Sequence, residues 1–139
     1  MTTREFFEIC ASHLTDDGVL AINSASVPGD RRLINGLATT MGTIFPSIYT
    51  VDIPGSLNTM IFATKQPTRP EDFTANLVAL SNDPAVHPLL IHTMQVTFSN
   101  LQSGYETTSV FTDDHAPIEW IVNDMVIRFL LGGGTEYLQ

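Results

Sequence analysis

The stretch GVLAINSAS, residues 18–26, contains four consecutive apolar residues, Val19 to Ile22, and they leave no polar face. Such a run predicts a strand buried on both faces, as in a parallel sheet. An amphipathic helical pattern precedes it and another follows within a few residues, an order typical of helices packed on a parallel sheet. We therefore expect an α/β fold organised around this strand.

Polar residues begin only where this strand ends, at Asn23 and Ser24. In open α/β sheets, ligands bind in the crevice at the carboxyl ends of the strands. Both residues are therefore candidates for substrate binding.

The composition and net charge of the chain limit the classes of binding partner. The 139 residues carry six Lys plus Arg against fifteen Asp plus Glu, a formal net charge of −9, and are 43% hydrophobic. This balance fits one globular domain with a core and argues against nucleic acid or an anionic membrane as partner. A cationic small substrate is compatible, although an acidic surface also keeps a protein in solution.

The cysteine count and the hydrophobic runs bear on location. Cys10 is the single cysteine, so no internal disulfide forms; it lies on the apolar face of the first predicted helix, where we expect it to be buried. A reducing cytoplasm is the simplest setting. No apolar run approaches the roughly 20 residues that cross a bilayer, and residues 1–17 lack a signal-peptide pattern. We expect a cytoplasmic chain without a membrane segment.

Residues 31–45 form the next predicted helix, with Asp30 as its cap and Pro46 as its end. Two short strands, 47–51 and 57–64, follow as a hairpin around the turn 52–56. Asp52 ends the first of these strands, where it serves either as a substrate contact or as a turn former.

A Pro-rich breaker at 66–70 separates a sheet region, residues 1–66, from a helical extension, residues 67–139. The extension contains two short helices between 70 and 102, and a last helix that begins after TDDHAP (112–117) and ends at Gly132–Gly134. Asp113 and Asp114 either bind a cationic substrate or cap this last helix. No His spacing suggests a metal site.

Five segments of the chain resemble segments of one known family and occur in the same order as there. They are residues 3–7 (TREFF), 14–23 (LTDDGVLAIN), 53–56 (IPGS), 60–63 (MIFA) and 112–119 (TDDHAPIE). They resemble the C-terminal half of the spermidine synthase (polyamine aminopropyltransferase) domain. The resemblance implies part of a class I methyltransferase-like Rossmann sheet, with helices on both faces and a terminal antiparallel hairpin. It also implies transfer of an aminopropyl group from decarboxylated S-adenosylmethionine to a polyamine.

The family's Gly-rich nucleotide turn and its catalytic Asp would precede Met1, so the resemblance assigns no catalytic residue to this chain. We expect the chain to be the acceptor-side part of a larger domain. By itself it should bind no cofactor or donor. Its partner would be the N-terminal half of the domain or a second copy, joined through an exposed strand edge.

Two positions depart from the family pattern. Asn23 replaces a Gln at the strand end, and Ile53 replaces a Tyr that helps hold the polyamine. Ile53 offers no aromatic face to an ammonium group. Two alternatives therefore stay open: a noncatalytic methyltransferase-like assembly module, and a methyltransferase-like enzyme with another acceptor.

Overall fold

The computed structural model describes residues 2–102 and 104–133 as a four-stranded antiparallel sheet with five helices. The elements in chain order are α1 (Arg4–His13), β1 (Val19–Ala25), α2 (Arg32–Gly42), β2 (Ser47–Asp52), β3 (Asn58–Thr64), α3 (Pro70–Ser81), α4 (Pro88–Ser99), β4 (Leu101–Gln102) and α5 (Ile118–Leu131). The chain therefore combines α and β structure, as the sequence predicts.

The sheet has the order β1-β3-β2-β4, and every neighbouring pair is antiparallel. The predicted hairpin is confirmed as β2 and β3, in which Thr50 lies opposite Ile61. On its other side Ile61 lies opposite Ile22 of β1. Because β3 runs opposite to both neighbours, β1 and β2 point in the same direction without touching.

The prediction of a central parallel strand at residues 18–26 is wrong. β1 lies at the edge of the sheet, and its side chains alternate between exposed and covered positions. Val19 and Ala21 are exposed, whereas Leu20 and Ile22 pack against the core. Successive side chains of a strand point to opposite faces, and the core lies on only one face of β1.

The element at the centre of the fold is α2. Its residues 33–41 are all buried, so the helix is covered on every side. The sheet lies on one side of it, and α1 and α5 lie on others. Leu33, Ile34, Leu37 and Met41 form the apolar face of α2, while small and polar residues fill the rest of its surface.

The segment 104–111, here called the strap, packs on the small residues of α2. The Phe111 ring lies on Gly36, in the space that a Cβ would fill. Thr40 Oγ1 accepts a hydrogen bond from the backbone N–H of Phe111 at 2.9 Å, and Thr39 Oγ1 accepts one from Thr108 at 3.1 Å. These hydroxyls satisfy backbone donors that the strap would otherwise bury without partners.

Both ends of the described chain return to this core. Thr3 caps α1 by accepting from the N–H of Phe6, and Arg4 donates its N–H to the Phe111 carbonyl at 2.7 Å. In α5 the buried residues are Ile121 and Met125, and the helix ends at Gly132, as predicted; Gly134 lies outside the described residues. The division of the chain at residue 66 stays a prediction, although Phe111 and Ile121 share the core of the first 66 residues.

Two helices fill the predicted helical region, where α3 and α4 pack chiefly against each other. The rings of Phe73 and Phe98 stack with centroids 5.8 Å apart. Neither helix buries any residue fully. The prediction of helices on both faces of the sheet is therefore not confirmed, because the helix packing concentrates on the α2 side. On the opposite face, Tyr49 donates its hydroxyl to the Thr68 carbonyl at 2.6 Å.

The exposure of Cys10 and the length of the helices bear on two further predictions. Cys10 on α1 is half-buried rather than buried. Among the helices of residues 2–102 and 104–133, none combines the length and apolar character needed to cross a membrane.

Candidate functional site

A cleft of about 1130 Å³ opens where β1 and β2 end and α2 begins. Its lining includes Ser26, Arg31, Asp52, Asn58, Glu106 and Arg128. A second cavity of about 510 Å³ shares Arg31, Asp52 and Glu106 with the cleft. The larger volume slightly exceeds the roughly 300–1,000 Å³ of typical small-molecule pockets.

A tight turn between β1 and α2 forms one wall of the cleft. Asp30 donates its backbone N–H to the Val27 carbonyl at 3.1 Å, and Gly29 adopts a positive φ of 82° within the turn. The Asp30 carboxylate accepts from the N–H of Arg32, the first residue of α2, at 3.1 Å. The N-cap residue of this helix is Arg31, one position later than predicted. The turn thereby places two consecutive arginines, Arg31 and Arg32, at the cleft.

Arg31 clamps the carboxylate of Asp52. Its Nη1 lies 2.9 Å from Asp52 Oδ1 and 2.8 Å from Oδ2, and its Nη2 donates to Thr50 Oγ1 at 3.1 Å. The clamp joins the beginning of α2 to the end of β2. Arg31 thus holds the Asp52 carboxylate in place while that side chain faces the cleft.

A chain of hydroxyls extends from the same carboxylate. Thr59 Oγ1 lies 2.6 Å from Asp52 Oδ1 and 2.9 Å from Ser26 Oγ. Partial burial acts to raise the pKa of Asp52, but the hydrogen bond from Thr59 and the Arg31 guanidinium outweigh it and hold this pKa below its ordinary value. Asp52 therefore carries its negative charge at neutral pH.

Arg32 connects the cleft wall to α5. Its Nη2 lies 2.6 Å from Asp30 Oδ2 and 2.7 Å from Asp124 Oδ2, and its guanidinium carbon lies 5.9 Å from the centre of the Trp120 ring. Hydrogen bonds from Arg32 lower the pKa of Asp30 and of Asp124, and the same bonds raise the pKa of Arg32 itself. Arg128 adds a bond from Nε to Asp124 at 2.8 Å. The network holds α5 against the beginning of α2.

Glu106 stands apart from these pairs. It lies on the strap and lines both cavities, yet it forms no hydrogen bond or ion pair within the described part of the chain. Sequence reasoning missed Glu106 and Arg31, since neither lies in a recognisable motif. The strap brings Glu106 to the cleft from a segment 54 positions beyond Asp52.

Of the five predicted binding residues, Asp52 lines the cleft. Asn23 is exposed on the open face of β1 and does not line it. Ser24 is buried on the core face of the same strand, where its hydroxyl lies 3.4 Å from the Ala25 carbonyl. Adjacent strand residues point to opposite faces, so these two side chains cannot act on the same ligand.

Asp113 and Asp114 occupy an exposed turn closed by Thr112 and His115. Asp113 accepts a hydrogen bond from the Thr3 hydroxyl at 2.6 Å and donates its N–H to Glu5 at 3.1 Å. It therefore supports the beginning of α1 rather than capping α5. Neither residue lines the cleft that Asp52 faces.

In the described ranges, no group of three or more His, Cys, Asp or Glu side chains is arranged to hold a metal ion. Comparison of the sequence and structure with protein-family models, curated proteins and solved structures finds no match.

Proposed function

We propose that this chain is the acceptor-side part of a spermidine synthase-like transferase, which moves an aminopropyl group from decarboxylated S-adenosylmethionine to an amine, a polyamine in that family. The observation that carries this proposal is the arrangement of β1, β3 and β2. Two strands point the same way, an antiparallel hairpin strand lies between them, and a cleft opens at their carboxyl ends. The terminal hairpin of a methyltransferase-like sheet fits this arrangement.

The open edge of β1 supports a role as part of a larger sheet. Among the described residues, β3 is the only strand that pairs with β1. Natural edge strands avoid further pairing by carrying charged residues or proline. The seven residues of β1 contain neither. A strand from the N-terminal half of the domain, or from a second copy, would complete the pairing.

The proposed reaction needs an uncharged amine nitrogen and a sulfonium donor. The nitrogen lone pair attacks the aminopropyl carbon attached to sulfur, the carbon–sulfur bond breaks, and its electron pair stays on sulfur as a neutral thioether. The attacking nitrogen thereby becomes a positively charged secondary ammonium group. An acceptor that enters the cleft as an ammonium group therefore first releases one proton, to water or to a base of the complementary half. In this scheme the present chain binds and orients the acceptor at the cleft.

The residues suited to this role are the cleft carboxylates and hydroxyls. Asp52 stays charged, and Glu106 offers a carboxylate with no partner in the described structure. Carboxylates favour ammonium groups through charge-assisted hydrogen bonds. Ser26 and Asn58 add uncharged hydrogen-bonding groups along the same wall.

Calorimetric and NMR titrations of the folded chain test this function. We expect decarboxylated S-adenosylmethionine and its thioether product to bind weakly or not at all, and at least one of the amines putrescine, propylamine and 4-aminobutyrate to shift the amide signals of cleft residues. Glu106→Gln should weaken amine binding about tenfold or more, and Asp114→Asn, outside the cleft, should leave it unchanged. Tight donor binding, or no response to any amine, would overturn the proposal.

A noncatalytic assembly module is the second candidate, and the Arg31 clamp favours it. The carboxylate of Asp52 is already neutralised by a guanidinium at 2.8 Å. A chain that pairs through β1 yet shows no amine response in the same titrations would fit this role. For either candidate we propose a reducing cytoplasm, which suits a chain whose one cysteine, Cys10, is a free thiol.

A further inference from the structure

The geometry of the cleft points to an acceptor that carries one ammonium group and one carboxylate, as an amino acid does. This inference rests on the proposed function and names the substrate class of the same site. It differs from the diamine that the family resemblance implies. Three observations lead to it: a carboxylate without a partner, guanidinium groups with spare donors, and a balance of charge along the walls.

Glu106 supplies the acceptor for an ammonium group. The other two carboxylates in the lining are engaged, since Asp30 binds Arg32 and Asp52 binds Arg31. Glu106 has neither an ion pair nor a hydrogen bond within residues 2–102 and 104–133. Glu106 is therefore the carboxylate of this lining that is left to bind one ammonium group of a ligand.

Arg31 and Arg128 supply donors for a carboxylate. Asp52 and Thr50 occupy Nη1 and Nη2 of Arg31, and in the described structure its Nε–H makes no hydrogen bond. Arg128 binds Asp124 through Nε alone, and its side chain is 71% exposed. Guanidinium groups bind carboxylates with several parallel N–H donors, so spare donors on two arginines form a suitable anchor.

The charge along the cleft disfavours ligands of a single sign. Its lining contains three guanidinium groups, on Arg31, Arg32 and Arg128, and three carboxylates. A diamine would direct its second ammonium group toward a guanidinium, and a dicarboxylate would meet Glu106 in a chain of net charge −9. A ligand with one charge of each sign avoids both conflicts.

A matched set of three small probes tests this inference on the full chain. 4-Aminobutyrate carries one ammonium and one carboxylate, putrescine two ammonium groups and succinate two carboxylates. We expect 4-aminobutyrate to bind at least about tenfold more tightly than either, because only it forms both charge-assisted contacts. Calorimetry gives the affinities, and amide shifts locate the site.

Variants separate the two anchors. Glu106→Gln and Arg128→Gln should each weaken 4-aminobutyrate binding about tenfold or more. Glu119→Gln, a change at an exposed acid on α5 outside the cleft lining, should leave the affinity unchanged. Both cleft residues are exposed, so these variants are expected to fold, and circular dichroism checks this. Equal binding by all variants would overturn the inference.

The probe that binds best distinguishes the two proposals. Tightest binding of putrescine overturns the inference and leaves the proposed transferase function standing with its family acceptor. Tightest binding of succinate, or no binding of any of the three, also overturns the inference. If propylamine fails as well, the transferase function fails with it.

Discussion

The aromatic ring of Phe111 lies directly against Gly36, so that a Cβ at position 36 would overlap the ring. Both residues are buried, and they come from α2 and from the strap that crosses it. Gly36 is thus a contact surface inside a helix, where glycine is otherwise unfavourable.

A Cβ at Gly36 would come within 3.0 Å of three atoms of the Phe111 ring, so the overpacking cost should lie at the upper end of the usual range, about 3 kcal/mol. Helix propensity returns about 1 kcal/mol, so Gly36→Ala should lower the free energy of unfolding by about 2 kcal/mol. Urea unfolding measures the difference. Gly104→Ala is the control, since a Cβ there meets nothing within 4 Å. Adding Phe111→Leu to Gly36→Ala should relieve part of the overlap, and full stability of Gly36→Ala alone would contradict this contact.

Thr40→Val tests the hydrogen bond between α2 and the strap. Valine has nearly the same shape but cannot accept from the buried N–H of Phe111, which Thr40 Oγ1 contacts at 2.9 Å. An unsatisfied buried donor costs about 1–3 kcal/mol, and we expect a loss of that size in urea unfolding. Thr93→Val on exposed α4, which removes a bond only to the Leu89 carbonyl, should change stability much less.

Acid should destabilise the protein through the carboxylates at the beginning of α2. Hydrogen bonds from Arg32 lower the pKa of Asp30 and of Asp124. Carboxylates with lowered pKa values stabilise the folded state above their unfolded pKa of about 4, and this contribution disappears as the pH falls through the folded values. Unfolding midpoints measured from pH 7 to pH 3 should therefore fall most steeply below about pH 4.

Asp124→Asn is expected to be less stable than the wild type at pH 7 and to lose less stability on acidification. Asp114→Asn serves as its control, because Asp114 lies in an exposed turn outside the ion pairs found in the described chain. Parallel pH profiles of the wild type and Asp124→Asn would be inconsistent with the proposed linkage.

The free edge of β1 should make the isolated chain associate with itself. Sedimentation velocity over a range of concentrations should give a rising average sedimentation coefficient. Asn23→Lys places a charge on the exposed strand and should weaken association about tenfold or more, whereas Ala79→Lys on α3 should not. A strictly monomeric wild type would count against an edge open to pairing.

Local features of this fold are readable from the sequence, whereas pairing partners are not. The beginning of α2 next to Asp30, the hairpin and the end of α5 at Gly132 follow from short-range chemistry. The run from Val19 to Ile22 carries no information on which strand lies beside it. Its partner, β3, begins 33 positions after β1 ends, so an edge strand resembles a central one in the sequence.

The site shows the same limit. Asp52 was recognisable because it follows a strand at a turn, but Arg31 and Glu106 reach it through tertiary structure. Asp113 also has a long-range partner, Thr3, which lies 110 positions away. Charge and turn propensity identify polar residues, and the packing of α2 determines which of them meet.

The strand order also has a consequence for assembly in time. The β2–β3 hairpin closes a short turn of five residues, 53–57, whereas the pairing of β1 with β3 must close the much longer segment 26–57. Short loops close at lower entropic cost, so the hairpin is expected to form early and β1 to join late. During synthesis β1 therefore emerges first but waits unpaired until Thr64 has been made, which leaves an interval in which another strand could take its place.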